Sequence, residues 1–301
     1  MKIINKITFA VSLFAMIGLA SCSDKGYWDE APAQQGYSFE QTTLNTSIVP
    51  GDNTIPVKVL RSEAGSEATL PVAFTPGKNC PATISVPSSI TFADGSNEAT
   101  LNITVTGATP PQVYSGKIAF TGDVSYAGSN ALEFTIPVEY IWENIGTGKY
   151  FDQFVMEVAD PEGKVIALTD FMDVTILKAE GFERYRVMAP YTEYFESHTD
   201  DWFFTALLPE YVEFWEEANG SISWDIFNIG LGYDGDKSKP ITAVPGNLLA
   251  SNGGVTNYNM WAEPGYAMFS PFYWINGVGG YNNTVYPAMI QVLLPSYLAA
   301  E

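Results

Sequence analysis

The sequence is poor in the residues on which hydrolytic and metal chemistry usually depend. Its 301 residues include one histidine, His198, and two cysteines, Cys22 and Cys80. A Ser-His-Asp triad would have to use His198, and no G-x-S-x-G elbow supplies a nucleophilic serine. No cysteine or carboxylate stands at a zinc-binding spacing from it. We therefore expect no catalytic triad, no metal site and no cofactor.

Positive charge is also scarce. Lysine and arginine together number 14, against 34 aspartates and glutamates, which gives a formal net charge of −20. Such a chain is repelled by phosphate backbones and by anionic lipid surfaces. Nucleic acid is thus excluded as a partner, whereas neutral and cationic ligands remain open.

The first residues have the layout of a secretory signal. Residues 1–21 begin with a lysine-bearing segment and continue as an apolar run that is short for a membrane span. Leu19–Cys22, LASC, resembles the bacterial lipoprotein box. The resemblance implies cleavage before Cys22 and a lipid on its sulfur, and more than one acyl chain gives stable anchoring. Cys80 would then have no disulfide partner within the chain.

The residues after Cys22 indicate where such a lipoprotein would be found. Ser23 and Asp24 partly resemble the acidic stretch that follows the lipidated cysteine in surface lipoproteins of Bacteroidota, although Lys25 interrupts it. Residues 22–35 contain proline and few aliphatic residues, so we interpret them as a lipidated tether. These features predict a lipid-anchored protein of the outer membrane that faces the cell surface.

Residues 36–140 predict an antiparallel β-sandwich. Short alternating segments, such as Thr54–Leu60 and Thr100–Val105, are separated by glycine and proline turns and show no helical period. Ile55–Phe74 and Ser89–Val105 resemble the Calx-beta type of immunoglobulin-like module, with its V-x-V-x-R-x3-G and F-x-x-G-x3-A-x-I-x-V strand pairs. The resemblance implies an immunoglobulin-like sandwich that acts as a spacer. Calcium binding is not carried over, because the acidic residues here are isolated.

Residues 141–301 are predicted to form a second, larger antiparallel β-domain, so the fold class is all-β. This half holds six of the seven tryptophans and continues the strand pattern. Asn219-Gly220 between two strand-like segments is a strong signal for a two-residue hairpin. The alternative makes residues 209–218 a short helix with Pro209 in its first turn, and the hairpin is favoured.

The second half also resembles the C-terminal region of uncharacterised lipoproteins from gut Bacteroidota. The resemblance is carried by Trp142 with Gly146-Thr147-Gly148, and by Val174–Tyr191, which contains Y-R-V-x-x-P-Y. Many of those proteins are encoded beside glycan-uptake systems. The resemblance implies binding of a polysaccharide or oligosaccharide, with an outer-membrane transporter complex as a partner.

Asn257–Asn283 is the stretch richest in aromatic residues, glycine and asparagine. Sugar rings have apolar faces that lie on aromatic rings, and their hydroxyls pair with amides and carboxylates. The ligand-binding residues are therefore predicted to be Trp261, Glu263, Tyr266, Tyr273, Trp274 and Asn276. We expect Trp261 and Trp274 in exposed loops, and Phe269 and Phe272 in the core. The alternative places all these aromatic side chains in a sandwich core.

The acidic residues leave two further readings open. A glycosidase pair, with carboxyls roughly 5–10 Å apart, could come from Asp200, Asp201, Glu210, Glu213, Glu216 and Glu217. Tyr233–Lys239 begins like a calcium loop, but Pro245 stands where a bidentate glutamate is required, so a polar turn is expected.

The sequence as a whole predicts a non-catalytic surface lipoprotein that captures glycan for an uptake system. A structural or adhesive lipoprotein that binds another protein is the first alternative, because the same aromatic residues would serve as interface hot spots. A glycoside hydrolase is the second.

Overall fold

The structure is a computed structural model that describes residues 36–121, 129–159, 170–197, 208–233, 236–246, 248, 259–281 and 289–300. The chain separates into two compact units, with the boundary between Glu139 and Tyr140. Strands predominate throughout, which confirms the all-β prediction. Within the described ranges, no helix is long and apolar enough to cross a membrane. Nor do these ranges bring together three or more His, Cys, Asp or Glu side chains that could hold a metal ion.

The first unit is a sandwich of two sheets. Its strands are β1 (Tyr37–Phe39), β2 (Thr43–Asn45), β3 (Gly51–Arg61), β4 (Ala68–Pro76), β5 (Ile84–Ser85), β6 (Ser89–Phe92), β7 (Glu98–Ala108), β8 (Val113–Phe120) and β9 (Ala131–Pro137). One sheet has the order β1-β3-β7-β5 and the other β2-β9-β8-β4-β6. Alternation along each strand places one row of side chains between the two sheets. On β7, Leu101, Ile103 and Val105 are buried, and the residues between them are exposed.

Arg61 is the arginine of the V-x-V-x-R-x3-G motif, and its contacts show what that arginine does in the first unit. Its side chain is 3% exposed and donates hydrogen bonds to the carbonyls of Gly65 at 2.7 Å, Ser66 at 2.8 Å and Ser96 at 2.5 Å. The guanidinium also lies 5.2 Å from the centre of the Phe92 ring. A single buried cation thus holds the loops that follow β3 and β6, because it satisfies several carbonyls at once.

The second unit contains twelve described strands and three short helices. The strands are β10 (Trp142–Asp152), β11 (Met172–Ala179), β12 (Arg184–Met188), β13 (Tyr211–Glu216), β14 (Ile222–Trp224), β15 (Phe227–Tyr233), β16 (Asp236–Pro245), β17 (Met260–Glu263), β18 (Tyr266–Phe269), β19 (Pro271–Ile275), β20 (Gly279–Tyr281) and β21 (Ile290–Leu293). The helices are α1 (Gln153–Ala159), α2 (Thr192–Ser197) and α3 (Pro295–Leu298).

Two sheets of the second unit share one hydrophobic core. The large sheet has the antiparallel order β14-β13-β12-β11-β10-β21-β18-β17, and the small sheet has the order β15-β16-β19-β20. The large sheet nearly closes on itself, because Ser221 beside β14 bridges to Met260 on β17. Gly148 on β10 permits a close approach to β21, since a Cβ there would lie 2.5 Å from the Leu293 carbonyl oxygen.

The Asn219-Gly220 hairpin is confirmed. Gly220 has a φ of 80°, and its N–H donates to the Glu217 carbonyl at 2.8 Å. The loop has three residues and not the expected two, because the Glu217 N–H donates to the Ser221 carbonyl at 2.8 Å and closes the hairpin between β13 and β14. The short helix considered for residues 209–218 is wrong, because most of this segment is strand and turn. Gly146 and Gly148 lie inside β10, at and just after a bulge.

A buried carboxylate joins the two sheets. Asp152 is fully buried and accepts hydrogen bonds from the hydroxyls of Tyr191 and Tyr273, both at 2.7 Å. It also caps α1, because its Oδ1 accepts the N–H groups of Phe154 at 3.0 Å and Val155 at 3.3 Å. Burial raises the pKa of Asp152 above its usual range, and these hydrogen bonds offset only part of that rise.

We expect the Asp152→Asn variant to change how stability depends on pH. Because the folded pKa of Asp152 is raised, the folded state binds more protons than the unfolded state above the ordinary aspartate pKa of about 3.9. The unfolding free energy of the wild type should therefore fall, relative to that of Asp152→Asn, as pH rises from about 4 through the raised pKa. Denaturant unfolding across pH measures this difference.

The matched control for this experiment is Asp173→Asn, which removes an exposed carboxylate from the same sheet. Parallel pH profiles for the wild type and Asp152→Asn would show that burial does not raise the Asp152 pKa.

Candidate functional site

The outer face of the large sheet carries a cluster of arginine and aromatic side chains. Along β12 the side chains alternate, so Tyr185 and Val187 enter the core while Arg184 and Arg186 point outward. On the neighbouring strand β13, Glu213 stands opposite Arg186 in the antiparallel register. We call this cluster the arginine face, and it consists of Tyr140, Trp142, Arg184, Arg186, Tyr211, Glu213 and Trp215.

Glu213 is the centre of the arginine face. It is 7% exposed, and each carboxylate oxygen accepts one charge-assisted hydrogen bond: Oε1 from Arg184 Nε at 2.5 Å and Oε2 from Arg186 Nε at 2.6 Å. A buried carboxylate is costly without such partners. The two arginines are therefore fixed in position by the residue between them.

Aromatic rings flank both guanidinium groups. The Arg184 guanidinium carbon lies 4.1 Å from the Trp215 ring centre and 4.9 Å from that of Tyr140. Arg186 lies 4.0 Å from the ring centres of both Trp142 and Tyr211. These distances are well within cation–π range. The face is thus a preorganised surface on which rings and charges hold one another.

A groove of about 340 Å³ opens beside this face. Its walls include Glu210, Tyr211, Glu213, Asp225, Ile226 and Asn228. Ile226 is 54% exposed, so the groove combines an apolar surface with polar groups. The volume falls at the lower end of the range of small-molecule sites, which suits part of a larger ligand.

Two polar side chains of the groove, Asp225 and Asn228, differ in their surroundings. Partial burial, and then the neighbouring Glu213, raise the pKa of Asp225, although Arg184 and Arg186 oppose the shift. Asn228 presents a buried Oδ1 that has no hydrogen-bond partner in the part of the chain that the structure describes. Leaving a buried acceptor unpaired costs about 1–3 kcal/mol. A ligand that donates a hydrogen bond to Asn228 would recover this energy.

The residues predicted for the site do not come together in one place. Tyr273 is 1% exposed and its hydroxyl is bound to Asp152, so its ring belongs to the core and cannot stack on a ligand. Trp261 lies on β17, where it contacts the core and donates from Nε1 to Glu216 at 2.9 Å. It stands at the rim of the inner face of the large sheet, 5.9 Å from the Tyr185 ring centre. The expectation of an exposed loop for Trp261 is therefore wrong.

The other predicted residues occupy three further positions. Tyr266 lies on the outer side of β18, where it contacts Tyr297 near α3 and hydrogen-bonds Gln291. Glu263 is exposed at the end of β17. Trp274 lies on β19 and is half-buried, which also departs from the expected loop, and Asn276 is exposed in the turn that follows. The core placement of Phe269 is confirmed, because it is 0% exposed and belongs to the hydrophobic core. Phe272 is buried as expected, at 5% exposed, but it lies on the face of β19 opposite Tyr273.

Sequence reasoning missed Arg184, Arg186, Tyr211 and Asn228. One signal was available, because Arg186 is the arginine of the Y-R-V-x-x-P-Y pattern and its outward position follows from strand alternation. Nothing in the sequence places Asn228 beside that strand, because it comes from a different sheet.

The competing acidic candidates are only partly described. His198, Asp200, Asp201 and Asp234 lie outside the described residues. Glu213 is engaged by two arginines. Asp236 accepts from the Ser238 N–H at 2.9 Å and lies 3.2 Å from Lys239 Nζ. All three residues belong to strand β16, so they do not form the polar turn expected for them.

Comparisons with known proteins give little beyond the structure itself. No protein-family model matches the chain, and no curated protein matches it. The apo-form Calx CBD1 domain is similar over 35% of this chain and 98% of that domain, with 15% identity and a TM-score of 0.29. An auxiliary nutrient binding protein from Bacteroides thetaiotaomicron VPI-5482 is similar over 84% of this chain and 89% of that protein, with 12% identity and a TM-score of 0.33. These low values assign no function.

We expect Glu213→Gln to destabilise the second unit. The amide has one acceptor oxygen and no charge, so one arginine loses its partner and both lose the ion pair. Hydrogen bonds to charged groups are worth about 1.5–3 kcal/mol, and the unfolding free energy should fall by about 2 kcal/mol. Denaturant unfolding measures the loss.

Glu143→Gln is the matched control, because Glu143 is exposed on β10 and should change the unfolding free energy by less than about 0.5 kcal/mol. Equal stability of Glu213→Gln and the control would show that Glu213 does not organise the face.

Proposed function

We propose that this protein is a non-catalytic binding protein that captures an uncharged glycan in the groove beside Tyr211. The observation that carries the proposal is the unpaired, buried Oδ1 of Asn228 in a groove that also holds Asp225 and the half-buried ring of Tyr211. Because the two solved structures have low TM-scores, the support comes from these residues alone.

The chemistry of the groove matches that of a sugar. A pyranose ring presents C–H groups that pack on an aromatic face and hydroxyls that donate hydrogen bonds. Asn228 Oδ1 and the Asp225 carboxylate accept from such hydroxyls, and the ring of Tyr211 is already positioned by Arg186. The carboxylates of Glu210 and Asp225 on the walls disfavour uronic acids and sulfated sugars, and the nearby Arg184 and Arg186 are already paired with Glu213.

Binding without hydrolysis fits the state of the carboxylates. A glycosidase needs one carboxyl to donate a proton and a second to act as nucleophile or base. Asp225, with its raised pKa, could serve as the acid. The neighbouring Glu213 has both oxygens bound to arginines, which weakens it as a base or nucleophile. We therefore favour capture, and a glycoside hydrolase remains the candidate that product analysis tests.

Binding to another protein is the second candidate function. The arginine face is built from tryptophan, tyrosine and arginine, the residue types that dominate interface hot spots. Purification with an outer-membrane partner, together with indifference to soluble sugars, would favour this candidate.

We expect the purified full chain, in detergent micelles, to be retarded in affinity gels that contain an uncharged polysaccharide. The panel should include starch, xyloglucan and galactomannan, with polygalacturonate as the charged comparison. Tyr211→Ala and Asn228→Ala should each weaken binding by about tenfold or more, equivalent to about 1.4 kcal/mol. Tyr233→Ala, which removes an exposed ring on β15 that does not line the groove, should bind like the wild type.

Two results would contradict glycan capture at this groove. Retention of full affinity by both variants would place the ligand elsewhere, and no retardation across the panel would favour the protein-binding candidate. Release of reducing sugar that Asp225→Asn abolishes would instead establish a hydrolase.

We also propose that a lipid on Cys22 anchors the protein at the outer membrane, beside a glycan transporter. The support is the LASC sequence behind an apolar run, because Cys22 lies outside the described residues. A Cys22→Ser variant expressed in a Bacteroidota host should move from the detergent phase to the aqueous phase in detergent partitioning, and labelled fatty acid should no longer be incorporated. Incorporation of the label into Cys22→Ser would refute the anchor.

A further inference from the structure

One row of side chains crosses all four strands of the small sheet. Asn228 on β15 pairs with Thr242 on β16, Thr242 pairs with Trp274 on β19, and Trp274 pairs with Gly280 on β20. Residues directly opposite in antiparallel strands place their side chains on the same face. Asn228, Thr242 and Trp274 therefore share one face of this sheet.

That face is the one turned away from the core. The adjacent row is formed by Phe227, Ala243 and Tyr273, which are 8%, 0% and 1% exposed. Tyr273 reaches Asp152 from this inner row. Because successive residues of a strand alternate between faces, Asn228, Thr242 and Trp274 lie on the outer face, and all three are partly exposed.

An aromatic ring covers the end of the outer row at Gly280. The Phe272 ring lies over Gly280, where a Cβ would collide with the ring, and the ring centres of Phe272 and Trp274 are 6.4 Å apart. No lysine, arginine, aspartate or glutamate belongs to the row itself. The row thus offers an amide, a hydroxyl and an aromatic ring in sequence, with no charge among them.

Asn228 belongs both to this row and to the wall of the groove beside Tyr211. From Asn228 to Trp274 the row spans two strand spacings, or roughly 10 Å, which exceeds the width of one sugar ring. We propose that the groove continues along this row, so that the ligand is a chain of several uncharged sugar units that runs from Tyr211 to Trp274. This inference rests on the proposed function and assigns the substrate class of the same site.

The role of each group follows from its chemistry. Tyr211 and Asn228 hold one end of the chain, Thr242 exchanges hydrogen bonds with a central unit, and the Trp274 ring packs against the C–H face of the far unit. A dimer fills only the groove, whereas a longer chain also reaches Trp274. Affinity should therefore depend on chain length, and the gain should depend on Thr242 and Trp274.

The test is calorimetric titration of the full chain with malto-, cello- and manno-oligosaccharides, each as dimers, tetramers and hexamers. In the series that binds, the wild type should bind the hexamer about tenfold or more tightly than the dimer. Trp274→Ala should lose most of this gain while it keeps the wild-type affinity for the dimer. Thr242→Val, which keeps the side-chain shape and removes the hydroxyl, should lose part of the gain.

If circular dichroism shows that Trp274→Ala does not fold, Thr242→Val alone still tests whether the row contributes to the gain in affinity with chain length. Tyr233→Ala should retain the full gain. The extended site is overturned if the wild type binds dimer and hexamer equally tightly. It is also overturned if Trp274→Ala and Thr242→Val keep the full gain in affinity from dimer to hexamer. Either result leaves glycan binding in the groove itself intact. Failure of every oligosaccharide to bind the wild type overturns the proposed function and this inference together.

Discussion

The second unit depends on one buried carboxylate. Asp152 ends β10 of the large sheet, caps α1, and accepts hydroxyl hydrogen bonds from Tyr191 and from Tyr273 on the small sheet. Burial raises the pKa of both tyrosines well above the usual value, so the hydroxyls remain protonated donors. A carboxylate so enclosed is tolerated only when its acceptor capacity is filled, which fixes how the two sheets face each other.

That constraint decides which aromatic residues can meet a ligand. Once Tyr273 is directed to Asp152, strand alternation forces Trp274 onto the opposite face of the small sheet. The same alternation on the large sheet sends Tyr185 into the core and the flanking Arg184 and Arg186 outward. The groove is lined by residues of both sheets, among them Tyr211 of the large sheet and Asn228 of the small sheet.

The all-β class and the Asn219-Gly220 hairpin followed from sequence because they rest on local signals, namely alternation and turn chemistry. The Arg61 motif was also recognisable, since its partners Gly65 and Ser96 lie in short loops next to the strands of the motif. The site did not follow in the same way. Richness in aromatic residues indicated Trp274 and Tyr273 alike and could not separate them, because adjacent residues differ only in the face that tertiary pairing selects.

Trp261 and Trp274 are both half-buried, but their contacts differ. Trp261 packs against Tyr185 and Phe214 and donates its single side-chain N–H to Glu216, so its contacts close the rim of the large sheet. Trp274 packs beside Phe272 on a face that also presents Thr242. A ring whose contacts are internal stabilises the fold, whereas a ring in line with hydrogen-bonding groups can stabilise a ligand. Neighbours across the strands, more than exposure, therefore decide the role of each tryptophan.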